Sequence, residues 1–163
     1  MKKKQNITFG LSTIGQKQLK TILSGSPEKN TALLPILYLI QNEKGFISIE
    51  DQRSVAALLE LPPMKVKGVV DFYTMLRGEK CGKYLIQVCH TLSCSIMGAH
   101  TVIDVIRKKL NINVGETTAD GKFTLVKVEC LGSCGTAPVM QINDDYYEQL
   151  TESKIIEILD SLE

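Results

Sequence analysis

The chain reads Val128-Glu129-Cys130-Leu131-Gly132-Ser133-Cys134-Gly135-Thr136-Ala137-Pro138-Val139 at the junction of two β-prone segments. Residues 123–129 alternate apolar with polar side chains, and residues 139–142 form a short apolar run, so each segment is a predicted strand. The two glycines between the strands, Gly132 and Gly135, predict a loop with positive φ angles. Such a loop lets the backbone approach a bound group closely and aim N–H groups at it.

The cysteines of this loop, Cys130 and Cys134, are spaced C-x3-C, and they have a counterpart earlier in the chain. Cys89 and Cys94 are spaced C-x4-C and follow a predicted strand over residues 83–89. We place both pairs in loops, directly after strands. If the two loops are adjacent at one edge of a sheet, four thiols come together there.

Several kinds of site could use these thiols. Disulfides are disfavoured because the chain has five cysteines, an odd number, and because we expect a reducing compartment. A zinc site accepts four thiolates, but its usual knuckle is C-x2-C. A [2Fe–2S] cluster takes four cysteine thiolates, two on each iron, and longer spacings suit that division. Free buried cysteines are a further reading, which the polar, glycine-rich loops argue against. The spacing of the cysteines favours an iron–sulfur cluster, and a zinc site remains an alternative.

The second half of the chain has the pattern of a small α/β sandwich. A helix is predicted over residues 99–110, and Asp120-Gly121 marks a turn before the second strand. A short fourth strand is predicted at residues 146–147, and Thr151 caps a last helix. The first strand, the helix and the second strand could form a crossover unit.

The sequence pattern of the first half of the chain predicts helices and no strands. Its apolar residues recur at helical spacing, as in Leu33, Ile36, Leu37 and Ile40. Gly45 ends that helix, and Ser48 with Asp51 has the pattern of a capping box. The predicted helices cover residues 16–23, the segment from 33 to 45, the segment after Ser48 and the segment after Pro62-Pro63. Four short helices with short links are enough for a small bundle.

Charge and hydropathy exclude several classes of protein. The net charge of +1 is too balanced for a generic nucleic-acid binder, although residues 1–80 carry +5 and residues 81–163 carry −4. The best apolar run, residues 32–40, is too short to span a membrane. Lys2 to Lys4 lack the apolar segment of a secretory signal. We therefore expect a cytoplasmic protein without direct membrane insertion and without a nucleic-acid partner.

Taken together, the motifs resemble those of the thioredoxin-like [2Fe–2S] ferredoxin family, and most specifically its 24 kDa (E) subunits of NADH:quinone oxidoreductase, respiratory complex I. The resemblance covers roughly residues 30–163. It is carried by residues 32–35, 45–48, 68–75, 88–94, 115–118, 120–125 and 128–139.

The resemblance implies an α+β protein with two domains. A small N-terminal helical bundle, residues 1–78, would precede a thioredoxin-like α/β [2Fe–2S] ferredoxin domain, residues 79–163. Cys89, Cys94, Cys130 and Cys134 fall on the four cluster ligands of the family, and we expect one [2Fe–2S] cluster. Cys81 matches no ligand position.

The resemblance also implies a role and a partner. The chain would transfer electrons beside a larger flavoprotein subunit that binds FMN, NADH and a [4Fe–4S] cluster, with further complex subunits around them. The sequence agrees, since it has neither G-x-G-x-x-G nor a P-loop. We expect Phe72 and Met75 to face the partner. Equivalent subunits of NAD-linked, including bifurcating, hydrogenases and of formate dehydrogenases are alternatives, as is a zinc-stabilised docking module without redox activity.

Overall fold

A computed structural model of the chain describes residues 9–162, which form two compact units, one ending at Lys80 and one beginning at Cys81. The predicted domain boundary, after residue 78, lies close to this division. The lysines Lys2 to Lys4 lie outside the described residues. None of the described helices is both long enough and apolar enough to cross a membrane.

The first unit consists of helices. They are α1 (Thr13–Gly25), α2 (Leu33–Lys44), α3 (Ile49–Leu59) and α4 (Pro63–Phe72), with a short 3-10 helix at Lys29–Ala32 before α2. The predicted apolar faces form its core, which includes the fully buried side chains of Ile36, Leu37, Ile40, Val55, Leu59 and Val66. Phe72 and Met75 are 78% and 54% exposed, so both side chains are accessible at the end of α4.

The start of α3 is held by the predicted capping box. The Ser48 hydroxyl oxygen accepts the backbone N–H of Asp51 at 3.1 Å, and the Asp51 carboxylate accepts the backbone N–H of Ser48 at 3.1 Å. Lys44, at the end of α2, donates to the same carboxylate at 2.6 Å. Gly45, with φ of +84°, follows Lys44 as predicted, because a left-handed residue ends a helix at least cost when it is glycine.

Removal of this cap gives a measurable loss of stability. We expect Ser48→Ala to lower the free energy of unfolding by about 1 kcal/mol, because an N–H at the helix start loses its acceptor. Urea denaturation followed by circular dichroism measures the change. Ser24→Ala is the matched control, since the exposed Ser24 hydroxyl only donates to the Thr21 carbonyl near the end of α1. Equal effects of the two substitutions would contradict the assigned role of the cap.

The second unit is a four-stranded mixed sheet with helices. The strands are β1 (Tyr84–Cys89), β2 (Phe123–Val128), β3 (Met140–Ile142) and β4 (Asp145–Tyr147), in the order β2-β1-β3-β4. The helices are α5 (Leu92–Ile96), α6 (Ala99–Leu110) and α7 (Glu152–Ser161). β1 and β2 pair in parallel, as predicted for a crossover unit, and the other pairs are antiparallel. Its core includes Ile86, Ile106, Leu125, Met140 and Ile155.

Candidate metal centre

The parallel pairing of β1 and β2 brings the two cysteine pairs to the same edge of the sheet. Cys89 is the last residue of β1 and lies opposite Val128, the last residue of β2. Cys130 therefore follows β2 by two residues at the edge where Cys89 ends β1. The backbone N–H of Cys89 donates to the Val139 carbonyl at 3.2 Å, which connects β1 to the end of the second cysteine loop, residues 129–139.

The first pair is buried, which corrects the expectation that the cysteines lie in loops outside the core. Cys89 and Cys94 are each 2% exposed and pack with Ala99 and Val139 in a small apolar cluster. Cys94 lies in α5, whose first turn is closed by the Ser95 N–H donating to the Thr91 carbonyl at 2.8 Å. A helix of five residues is too short to show a 3.6-residue repeat, so sequence periodicity could not reveal it.

The second pair is exposed and lies in the predicted glycine loop. The sulfur atoms of Cys130 and Cys134 are 3.4 Å apart. Gly132 has φ of +83°, as predicted, and its N–H lies 3.4 Å from the Cys130 sulfur. The positive φ predicted for Gly135 is wrong, because this residue lies in a short 3-10 helix, Cys134–Thr136. The loop therefore aims a backbone donor at a cysteine sulfur through one of its two glycines.

Each cysteine pair contains one thiol that ionises easily and one that resists ionisation. Burial acts to raise the pKa of Cys89, but hydrogen bonds with the Thr91 hydroxyl and backbone outweigh it and lower the pKa. Burial, followed by the contact with Cys89, raises the pKa of Cys94 to about 11. The Gly132 N–H lowers the pKa of Cys130, whereas the contact with Cys130 raises the pKa of Cys134. Within each pair the two thiol pKa values therefore shift in opposite directions, as expected when two thiols are close.

In the metal-free protein, Cys130 and Cys134 should differ in their rates of alkylation. We expect iodoacetamide to modify Cys130 before Cys134 at neutral pH, because a lowered pKa leaves more of the reactive thiolate. Both side chains are exposed, so access does not distinguish them. The preference should disappear only when the pH rises above the ordinary thiol pKa, where Cys134, whose pKa is raised, also ionises. Peptide mass spectrometry after a short exposure measures it, and faster modification of Cys134 would contradict it.

Thr91 takes part in the site although it is not one of the predicted ligands. Its hydroxyl lies 3.3 Å from the Cys89 sulfur and also stabilises the thiolate. The available signal was its position, two residues after a candidate ligand, where a hydroxyl can reach back to the preceding sulfur.

Two further residues of ligand type, Cys81 and His90, lie near the cysteine motifs in the sequence. Cys81 precedes β1, and the five residue steps of that strand separate its ends by about 16 Å, so Cys81 is at the far edge of the sheet. His90 is exposed and points toward Glu129, with 3.7 Å between its Nε2 atom and the carboxylate. Both positions agree with leaving these residues outside the ligand set.

The donor set fits two metal ions that each hold two thiolates. On one tetrahedral metal with metal–sulfur bonds of about 2.3 Å, two sulfurs are about 3.8 Å apart, close to the 3.4 Å between Cys130 and Cys134. Cys89 and Cys94 form a second interacting pair. Two irons with two thiolates each are the arrangement of a [2Fe–2S] cluster.

Residues 19–163 match the thioredoxin-like [2Fe–2S] ferredoxin family. The chain belongs to this family. Membership confirms the predicted fold class, in which N-terminal helices precede a thioredoxin-like α+β domain, and it confirms the prediction of one [2Fe–2S] cluster. Which residues bind the cluster stays a prediction.

Relatives within the thioredoxin-like ferredoxin family are similar over most of the chain. The E subunit of the NADH-quinone oxidoreductase of Rickettsia felis is 46% identical over 133 residues, which are 81% of this chain and 80% of that protein. The corresponding protein of Rickettsia prowazekii is 42% identical, over 95% of this chain and 89% of its own length. The mitochondrial NADH dehydrogenase [ubiquinone] flavoprotein 2 of Dictyostelium discoideum is 43% identical, over 89% of this chain and 60% of that protein.

The fold of this ferredoxin-family member also occurs in a solved structure. The crystal structure of an NAD+-reducing [NiFe]-hydrogenase in the H2-reduced state aligns with a TM-score of 0.67 and 18% identity. The alignment covers 80% of this chain and 22% of that hydrogenase chain. At this identity, the similarity establishes the shared fold.

Proposed function

We propose that this chain is the [2Fe–2S] electron-transfer component, the E subunit, of an NADH–quinone oxidoreductase. The two Rickettsia relatives named above are E subunits of NADH-quinone oxidoreductase, which confirms the function predicted from the sequence. The observation that carries the proposal within the molecule is the meeting of two thiol pairs at one edge of the sheet. The cluster supplies one-electron chemistry, and the chain supplies its ligands and surroundings.

In this proposal, Cys89 and Cys94 hold one iron and Cys130 and Cys134 hold the other. The Thr91 hydroxyl and the Gly132 N–H stabilise thiolate charge on Cys89 and Cys130, so each iron has one ligand that loses its proton readily. The apolar cluster around Cys89 and Cys94 keeps water from the first pair. Cys130 and Cys134 remain at the surface, where a redox partner can approach.

The partner in this proposal is the larger flavoprotein subunit that binds FMN, NADH and a [4Fe–4S] cluster, beside further subunits of the complex. Support comes from the sequence, which has no dinucleotide-binding fingerprint or P-loop, so hydride chemistry belongs to another chain. The proposed location is the cytoplasmic side of the membrane. Sequence similarity favours this complex over a hydrogenase, since the identity is 46% to the Rickettsia felis E subunit and 18% to the hydrogenase chain.

Electron paramagnetic resonance (EPR) on anaerobically purified full-length protein tests the proposal. We expect a coloured sample that gives about one spin per chain after reduction with dithionite, because a reduced [2Fe–2S] cluster is paramagnetic. Iron and acid-labile sulfide should each be present at about two per chain. A colourless, EPR-silent sample with stoichiometric zinc would overturn the proposal in favour of the docking module.

A second experiment tests the partner. NADH alone should leave the cluster oxidised, whereas NADH with a flavoprotein that contains FMN should produce the same EPR signal as dithionite. Reduction by NADH in the absence of any flavoprotein would contradict the proposed division of labour.

A further inference from the structure

Residues 146–150, the end of β4 and the residues that follow it, hold the second cysteine loop in place. The Gln149 N–H donates to the Thr136 carbonyl at 2.8 Å, and the Leu150 N–H donates to the Pro138 carbonyl at 3.2 Å. The Tyr146 hydroxyl donates to the Leu131 carbonyl at 2.9 Å. The loop that carries Cys130 and Cys134 is therefore held along its length by residues 146–150.

Within that segment, Glu148 contributes a carboxylate to the loop. One carboxylate oxygen accepts hydrogen bonds from the Ser133 and Thr136 hydroxyls, the latter at 2.8 Å. The two hydroxyl oxygens are also 2.8 Å from each other, so they form a closed triangle with the carboxylate. Ser133 directly precedes Cys134, and Thr136 follows it by two residues. Glu148 thus binds the turn on both sides of a candidate ligand.

The carboxylate of Glu148 is anionic at neutral pH. The Ser133 hydroxyl, and after it the Thr136 hydroxyl, hold the pKa of Glu148 below its ordinary value. The side chain is partly buried, and the Lys154 ammonium donates to the Glu148 main-chain carbonyl at 2.6 Å, which fixes the backbone here. A negative charge is therefore held in one place beside the loop.

We propose that Glu148 is a positioning residue of the cluster site: it fixes the Ser133–Thr136 turn, and with it Cys134, and its charge lowers the reduction potential of the cluster. This inference rests on the proposed function, because it requires Cys134 to bind the cluster. Hydrogen-bonded groups behind metal ligands hold those ligands in place and change metal affinity. Reduction adds a negative charge to the cluster, and a nearby fixed carboxylate opposes that addition.

The test compares three variants of the full-length chain. Glu148→Gln removes the charge but keeps an amide oxygen that can accept from Ser133 and Thr136, whereas Glu148→Ala removes both the charge and the acceptor. Glu157→Gln is the matched control, since it neutralises an exposed carboxylate on α7. Two quantities are measured under anaerobic conditions: the midpoint potential, by EPR-monitored titration, and the rate of iron loss to a ferrous chelator.

We expect Glu148→Gln to keep a full complement of cluster and to shift its midpoint potential to a more positive value. Glu148→Ala should show the same direction of shift and should lose iron about tenfold faster than the unmodified chain. Glu157→Gln should change neither quantity measurably. A structural role alone would alter the rate of iron loss without moving the potential of the glutamine variant.

An unchanged potential in a fully loaded Glu148→Gln protein would overturn the inference, as would a shift of equal size in Glu157→Gln. If Glu148→Ala fails to fold, the midpoint potentials of Glu148→Gln and Glu157→Gln still test the inference. Failure of the proposed function gives a different result, because the unmodified chain would then hold no cluster even after reconstitution with iron and sulfide.

Discussion

Full-length protein with Cys94→Ala is expected to lose nearly all of its [2Fe–2S] absorbance and EPR signal. The substitution removes a buried thiol from the pair with Cys89, so one iron would keep a single protein ligand. Alanine fills most of the space without placing an unpaired hydroxyl in the apolar cluster. Iron and sulfide analysis of anaerobically purified protein, with EPR after dithionite, measures the loss.

Cys81→Ala is the control, because it removes a thiol that is not a proposed ligand. Cys81 lies at the far edge of the sheet, and its removal should leave the absorbance, the EPR signal and the iron content unchanged. Circular dichroism should show the same helix content in both variants. A full cluster in Cys94→Ala, or its loss in Cys81→Ala, would refute the ligand set.

Removal of iron is expected to destabilise the second unit far more than the first. With the proposed ligands Cys89, Cys94, Cys130 and Cys134, the cluster binds only the folded arrangement, so its binding free energy stabilises the elements that carry those residues. Hydrogen exchange of the full-length chain with and without iron measures the effect by segment. Protection should fall by at least about tenfold in β1, β2 and the second cysteine loop, a change of about 1.4 kcal/mol.

The helices of the first unit serve as the internal control in that experiment. Peptides from α2 and α3, whose buried residues belong to a separate core cluster, should keep their protection when iron is removed. Equal loss of protection in both units would contradict the prediction. Unchanged protection in the second cysteine loop would also contradict it, because bound iron should stabilise the loop that carries two of its proposed ligands.

Elements with a long periodic pattern were predictable from the sequence. The apolar faces of α2 and α6, the β-prone runs of β1 and β2, and the capping box at Ser48 are each visible in residues close together in the chain. Those same elements place the thiols, since β1 ends at Cys89 and Cys130 follows the parallel strand β2 by two residues, at the same sheet edge. The candidate site followed from the fold for that reason.

Features that depend on residues distant in the chain could not be predicted. The burial of Cys89 and Cys94 requires Val139, which lies 45 residues beyond Cys94. The contact of Glu148 with Ser133 spans 15 residues across a loop and a hairpin, and no local pattern marks it. Gly135 has no positive φ because the chain coils into a 3-10 turn there, which glycine permits but does not require.

The unequal exposure of the two cysteine pairs has a consequence for oxidative damage and repair. The sulfurs of Cys130 and Cys134 are 3.4 Å apart at the surface, so a chain that loses its iron in air presents a neighbouring dithiol to an oxidant. Closure to a disulfide releases two electrons and two protons and occupies both sulfurs. With the proposed ligand set, the cell must then supply a reductant before the cluster can be rebuilt, while the buried Cys89 and Cys94 are sheltered from the same oxidant.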